Sequence, residues 1–580
     1  MKTVYIYNKV KKMAKGFLPF YLFTLLPLFS SCSDFLDIEP MNSTVLENYW
    51  KEKADVTGAV NGCYEALASE DVIKRMAIWG ELRSENVVIG TLNNAQKYQN
   101  TYNNLNEMLK ENLLQTNEMC NWSSLYNVIN RCNIVCHYAP EVEQIDPNYT
   151  SNELKATIAE MKTIRALCYF YLIRTFRDVP YVTEPSIDDN QNYVVPATKF
   201  EVVLDSLIND LESIKDDAQR RFSVEKVVNK SISVPAENNS RITRWAIYAL
   251  LADLYLWKGD WNNVIKYCDL VLDYKAQQYN ELIQMDQISD VELFDGVPMV
   301  LEAVKGQQNV GNTYTSVFGQ GNSFESIFEL YYNGNTGQEN NWVSNFYGNG
   351  NNTIGLLKAS ECLMDGFTTD QNQIWVSQKD CRAYESLESQ GTSYAITKYT
   401  RPSASFSLQR LGIVSIADSR RSTPNSNWIF YRLSDIMLMK AEALIQRGEA
   451  DWPEAFKLIN NVYKRANNIA PETTTGSLSY ETYSSSREKM EDLLFAERHR
   501  EFLFEGKRWY DLVRLARRDG KTERLASCAI RKYRQDINVI KIKLTDPNYI
   551  YFPYAKSELK VNPLLKQNPA FDKGEDGNLN

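Results

Sequence analysis

"RWAIYALLADLYLWKGDWNNVIKYCDLVLDY" (residues 244–274) decides how the chain folds. Its apolar positions return every three or four residues, the period of one helix face. The rhythm breaks at Gly259-Asp260 and then resumes, so the stretch reads as two helices joined by a tight turn.

Ala252, Tyr255, Gly259 and Trp261 fall where a tetratricopeptide repeat puts its close-packing and turn residues. "RLSDIMLMKAEALIQRGEADWPEAFKLINNVYKRA" (432–466) is a second such hairpin, with Ala441, Ala443, Gly448 and Ala455 and a short insertion at its turn. Two further segments keep helical spacing. In "NWSSLYNVINRCNIVCHY" (121–138) the stripe is Trp122, Leu125, Ile129, Cys132 and Cys136. In "ELKATIAEMKTIRALCYFYLIRTF" (153–176) it is Leu154, Ile158, Met161, Cys168 and Leu172, with Arg165 intruding and Pro180 breaking the pattern downstream. Degenerate repeats separated by long insertions predict a helical-repeat frame that carries loops.

Gly306 to Asn352 is different in kind. It holds eleven Asn, eight Gly and nine aromatic residues, with no Lys or Arg. Within it "SFESIFELYY" (323–332) reads as a strand and the rest as loop. Long loops on a rigid frame are where binding usually sits.

The N-terminus carries five lysines and no acid before Asp34, then "FLPFYLFTLLPLFSSCSDFLDIEP" (17–40). Its apolar run, Phe17 to Phe29, falls short of the roughly 20 residues a spanning helix needs. Basic residues, a short apolar core and small residues before a break predict a secretory signal over 1–31. Ser30, Ser31 and Cys32 resemble a bacterial lipobox, with Leu28 one place early. Acylation of Cys32 by chains such as palmitate would anchor the body, because two or more chains hold firmly where one does not. Removing 1–31 moves the formal charge from −9 to −14, which argues against a nucleic-acid partner. The nine cysteines beyond Cys32 read as small buried apolar residues.

Recognised catalytic and metal patterns are absent. The sequence has two histidines, His137 and His499, and no HExxH, GxSxG, phosphate-binding loop or EF-hand spacing. "CNIVCH" (132–137) is one residue too long for covalent haem attachment. No cofactor or metal is called for, and a structural Ca²⁺ has no support in the sequence. In "FAERHREFLFEGKRWYDLVRL" (495–515), Glu497, Glu501 and Glu505 stack at i, i+4, which is repulsive unless cations intervene. Arg498, Arg500 and Arg508 are the nearby candidates. A buried Arg165 needs a carboxylate, and the expectation is a glutamate from the C-terminal helices. A glycosidase acid–base pair among these glutamates is the competing reading.

Seven blocks together resemble the SusD/RagB outer-membrane lipoproteins of Bacteroidetes. They are "CSDFLDIEP" (32–40), "NGCYEAL" (61–67), "WSSLYNVINRCN" (122–133), "EMKTIRALCYFYLIRTFRDVPYV" (160–182), "RLSDIMLMKAEAL" (432–444), "ERHREFLFEGKRWYDLVR" (497–514) and "YFPYAKSELKVNPLLKQNP" (551–569). Arg177 stands where the family has glycine. The resemblance implies a mainly α fold, a superhelix of tetratricopeptide-like helix pairs with an irregular, loop-rich ligand face and a few short strands. It implies one domain over 32–580, divided into 32–300 with helical repeats, a loop-rich 301–430, and 431–580 with a repeat and tail. It also implies a non-enzymatic surface binder that captures oligosaccharides, or oligopeptides in the RagB branch, for a SusC-like TonB-dependent transporter in the outer membrane.

The family's motifs are scaffold, so the ligand residues are argued from chemistry. Sugars offer apolar faces to flat rings and hydroxyls to amides and carboxylates. Two regions have that composition. One is "WGELRSENVVIG" (79–90) with "NNAQKYQN" (93–100), offering Trp79, Arg83, Glu85, Asn86 and Tyr98. The other is "NNWVSNFYGNGNN" (340–352), offering Trp342, Asn345, Phe346 and Tyr347.

Overall fold

The computed structural model describes residues 49–90, 98–187, 193–284, 287–335, 337–348, 355–364, 374–377, 379–390, 393–407 and 421–572. The expected signal segment and Cys32 lie outside the described residues, as do parts of the loop-rich stretch.

The long helices are α1 (Lys53–Leu67), α2 (Glu70–Glu81), α3 (Gln99–Leu109), α4 (Ser123–Ile145), α5 (Ser151–Phe176), α6 (Phe200–Ile214), α7 (Arg244–Lys258), α8 (Trp261–Ile283), α9 (Leu433–Arg447), α10 (Trp452–Ala466), α11 (Arg487–Glu501) and α12 (Arg508–Asp519). Each of α4 to α9 packs on the next, and α9 packs on both α10 and α11. That unbroken stacking is the expected repeat frame. Ala252, Ala441, Ala443 and Ala455 are fully buried, so the helix axes approach closely at the small residues. Gly259 adopts φ +79, the left-handed turn that ends α7, and the Asp260 side chain accepts from the Asn263 amide to start α8. The nine cysteines are free, seven of them buried.

Short strands collect the insertions. They are β1 (Val87–Ile89), β2 (Val291–Phe294), β3 (Val297–Val300), β4 (Ser326–Leu330), β5 (Leu357–Ala359), β6 (Leu387–Gln390), β7 (Ser393–Ile396) and β8 (Trp428–Arg432). One antiparallel sheet runs β1-β5-β7-β6, and β4 pairs with β8. The strand expected in 323–332 is β4. Since β8 leads straight into α9, the loop-rich segment is bonded to the frame where it re-enters it. Trp342, Trp375 and Trp428 join the same apolar core as the helices.

The three stacked glutamates sit in a buried charge network. Arg382 bridges Glu497 (2.7 Å) and Glu501 (2.9 Å), and Arg432 reaches Glu501 (2.6 Å) and Glu505 (2.8 Å). Arg465 also binds Glu501, at 2.5 Å, and Lys398 binds Glu505 at 2.6 Å. Burial pushes the Glu505 carboxyl up, but Arg432 and Lys398 outweigh it and hold it at about 2. Of the nearby arginines only Arg500 pairs within this row, with Glu497 at 2.7 Å. Arg498 binds Asp511 (2.9 Å) and Arg508 binds Glu85 (2.7 Å).

The expected partner of Arg165 is corrected. Its guanidinium pairs with Asp210 of α6 and donates to Asn133 Oδ1 (2.9 Å). α6 packs directly on α5, so the nearest carboxylate comes from that neighbour and not from the C-terminal helices.

Arg177 ends α5 at φ +70, ψ −75, and the Asp178 amide donates to Phe176 O across it. That is a γ-turn of the rare, strained kind, which explains why glycine suits the position. Arg177 offsets part of the strain by donating to Asn548 Oδ1 (2.8 Å). Arg177→Ala and Arg177→Gly lose the same contact, but only glycine relieves a strain of about 1–3 kcal/mol. Its own chain-entropy cost is about 0.5–1 kcal/mol. Urea unfolding should therefore find the glycine variant the more stable of the two by about 1 kcal/mol. Equal stabilities would remove the strain argument.

Candidate ligand-binding rim

Most of the aromatic and charged residues proposed for the ligand arc lie in the core. Trp79, Arg83, Glu85 and Asn86 are completely buried. Trp79 Nε1 donates to Met119 O (2.8 Å), and its ring meets Phe176 edge-on. Arg83 binds Glu111 (2.8 Å) and the carbonyls of Tyr549 and Ile550 (2.9 Å each), with its guanidinium over the Trp509 ring. Asn86 Nδ2 donates to Glu81 Oε1 (2.6 Å), while its Oδ1 meets His499 Nε2 (2.5 Å). Trp342, Phe346 and Tyr347 are buried as well. Trp342 lies against Phe346 with centroids 4.2 Å apart, and Tyr347 OH donates to Phe504 O (3.0 Å). These seven side chains therefore present no ring or polar group to a ligand. They became core because their partners, Glu111, Arg508, Phe504 and the 549–550 backbone, come from far along the chain.

They form a foundation instead. Burial and the Arg508 charge push His499 down to about 3, so its ring is neutral. Burial opposes ionisation of Glu85, yet Arg508 holds its carboxyl far below the usual range. Burial lifts Glu81 to about 7 even though Asn86 and the amides of Phe504 and Gly506 bond to it. Gly80 and Gly506 touch so closely that a Cβ on Gly80 would stand 1.7 Å from Gly506 O. Backbone and charge together lock α2 to the turn before α12.

Above this base the two regions converge. β1 pairs with β5 in the register Val87↔Ala359. The Gly90 amide donates to Leu356 O (2.8 Å), and the Leu356 amide donates to Asn345 O (3.1 Å). Asn345 is half-buried and its Nδ2 donates to Glu70 Oε1 (3.0 Å) at the start of α2. Tyr98, half-buried, precedes α3, and α3 packs on β1. Asn345 and Tyr98 are thus both tied to the β1–β5 strand pair, whose edge forms a candidate rim, although about 250 residues separate them in sequence.

The rim has members that the sequence reading missed. Tyr102 lies one helical turn from Tyr98 and is half-buried like it; the i, i+4 spacing in "YQNTYNN" carried that signal. Tyr331 is 50% exposed beside Tyr332, whose hydroxyl donates to Ala68 O (2.7 Å) next to Glu70. On the outer face of the sheet Lys358 Nζ donates to Ser393 Oγ (2.9 Å). Partly open tyrosines, amides and one lysine make a surface that can stack on an apolar ring face and bond its hydroxyls.

Two family models match the chain. The "SusD family" model covers residues 295–571, and a model described as "Starch-binding associating with outer membrane" covers 34–256. A SusD-like protein of Formosa agariphila is 24% identical over 87% of this chain and 92% of its own length. A SusD superfamily protein of Bacteroides thetaiotaomicron superposes with a TM-score of 0.58 at 20% identity, over 90% of this chain and 99% of that one. A SusD homologue from the same organism gives 0.61 at 16% identity, over 90% and 98%.

Trp342→Ala should act on stability. Removing a buried tryptophan costs about 3–5 kcal/mol, visible as a lowered urea midpoint. A variant of unchanged midpoint that lost only ligand affinity would return Trp342 to the binding surface.

Proposed function

Because the chain belongs to the SusD/RagB family, we propose that it is a lipid-anchored binding protein of the outer membrane. On this reading it captures oligosaccharide at the rim and passes it, chemically unchanged, to a SusC-like TonB-dependent transporter. What supports the reading is the bonding of residues 87–90 to 356–359 and of Leu356 to Asn345, with Tyr102 on the helix that packs against β1 and Tyr98 at its start. Rings held in place beforehand bind a sugar face at little entropic cost. An acylated Cys32 would keep the rim beside the transporter, and tethering replaces affinity with effective concentration.

The glycosidase alternative needs two carboxyls facing each other across an open cleft. Glu497, Glu501 and Glu505 instead meet guanidinium and ammonium groups on every side and are at most 2% exposed. Burial and the nearby Glu385 push the Glu302 carboxyl well above the usual carboxylate range, but it too lies inside the fold. These four carboxylates are thus spent on structure, which supports binding without turnover.

Calorimetry against a panel of α- and β-linked oligosaccharides and short peptides tests the proposal. Tyr98→Ala with Tyr102→Ala removes two stacking rings at about 1 kcal/mol each, so glycan affinity should fall roughly 30-fold. Unchanged glycan affinity would move the site off the rim. Binding confined to the peptides would replace the ligand class.

A further inference from the structure

The helical side of the molecule holds a cavity of about 480 Å³ that the rim does not use. It opens between the start of α6, the turn joining α7 to α8, and the last turn of α12. Its size falls in the range of small-molecule sites.

The walls are aromatic and fixed. Trp257 lies 5.9 Å from Phe200 and is backed by Phe170, again at 5.9 Å. Trp261 follows four residues later across the Gly259 turn, and its six-membered ring lies over that glycine, where an added Cβ would sit 3.6 Å from Cζ2. The Trp261 indole is half-buried, and among the described residues it has no hydrogen-bond or ring partner. A flat apolar ring is thus held at a cavity wall by the tightness of a helix–helix turn.

The mouth supplies donors and acceptors. Arg517 lies over the Phe200 ring at 3.7 Å and donates to Tyr551 OH and Glu201 Oε1, both at 2.8 Å. Lys258 Nζ meets Asp205 Oδ1 at 2.8 Å. The Glu201 and Asp205 side chains are 70% and 53% exposed, so their outer lone pairs reach solvent beside the rings. Each of these cations has its own carboxylate, as do Arg514 (Glu442) and Arg518 (Glu491), which also line the cavity, so no surplus charge selects an ionic ligand. The chemistry that matches is a neutral molecule with one apolar face and several hydroxyls.

We propose that the cavity bounded by Phe200, Trp257, Trp261 and Arg517 is a second saccharide site, set in the helical frame and separate from the rim. It takes a short neutral saccharide that stacks on Trp261 and hydrogen-bonds to Glu201, Asp205 and Arg517. The proposal goes beyond the rim reading and stands on different residues.

Fluorine NMR of the 5-fluorotryptophan-labelled protein tests it, with maltotriose, cellotriose and mannotriose as probes and Trp257→Phe and Trp261→Phe assigning the resonances. At least one trisaccharide should shift the Trp261 signal saturably at millimolar concentration. That shift should survive Tyr98→Ala with Tyr102→Ala. Arg517→Met, which keeps the aromatic packing, should weaken the same titration at least tenfold. A Trp261 signal unmoved by all three sugars overturns the proposal, as does a shift that disappears in the rim double variant. Failure of the rim reading looks different: that double variant would leave every glycan affinity unchanged.

Discussion

Glu501 receives three arginines, Arg382, Arg432 and Arg465, in a site closed to water. Burying that much charge is expensive, and the attraction it recovers roughly cancels the desolvation cost. What the arrangement fixes is position. The four residues come from the loop-rich segment, from the strand that re-enters the frame, from α10 and from α11. Glu325 at the start of β4 adds a fifth attachment through Arg465. A guanidinium fork on a carboxylate fixes distance and direction together, which adds geometric specificity to the packing of these segments. Removing one partner leaves the others buried and unpaired, at about 3–5 kcal/mol.

The face built on β1 and α2 inherits its rigidity from this layer. Glu85 and Arg508, Glu81 with the Phe504 and Gly506 amides, and Tyr347 on Phe504 continue the same bonding toward β1 and α2. The densest motif in the sequence, 497–514, is buried in this layer apart from the half-buried Lys507.

The frame was legible in the sequence because helices announce themselves locally. The stripe through Trp122, Leu125 and Ile129 and the restart at Gly259-Asp260 depend on neighbours three or four residues away. The site was only partly legible. Trp79, Arg83, Glu85 and Asn86 have the composition of a sugar-binding surface and of a buried ion-pair layer alike. Choosing between the two requires Glu111, Tyr549 and Arg508, whose proximity no local pattern encodes. Arg165 makes the same point: its need for a carboxylate could be read, but the identity of Asp210 could not. Arg177 shows the reverse: the positive φ found there accounts for the glycine of the family pattern, and the arginine side chain conceals it from a reading of this sequence.

The central claim is that the buried charges make the loop-rich face and the helical frame one mechanical unit. Native-state hydrogen exchange on Glu501→Gln tests it most directly. The account predicts that β8, the segment Cys381–Ser386 and the end of α10 lose protection together with α11. Loss confined to the last turn of α11, with β8 and residues 381–386 still protected, would contradict it.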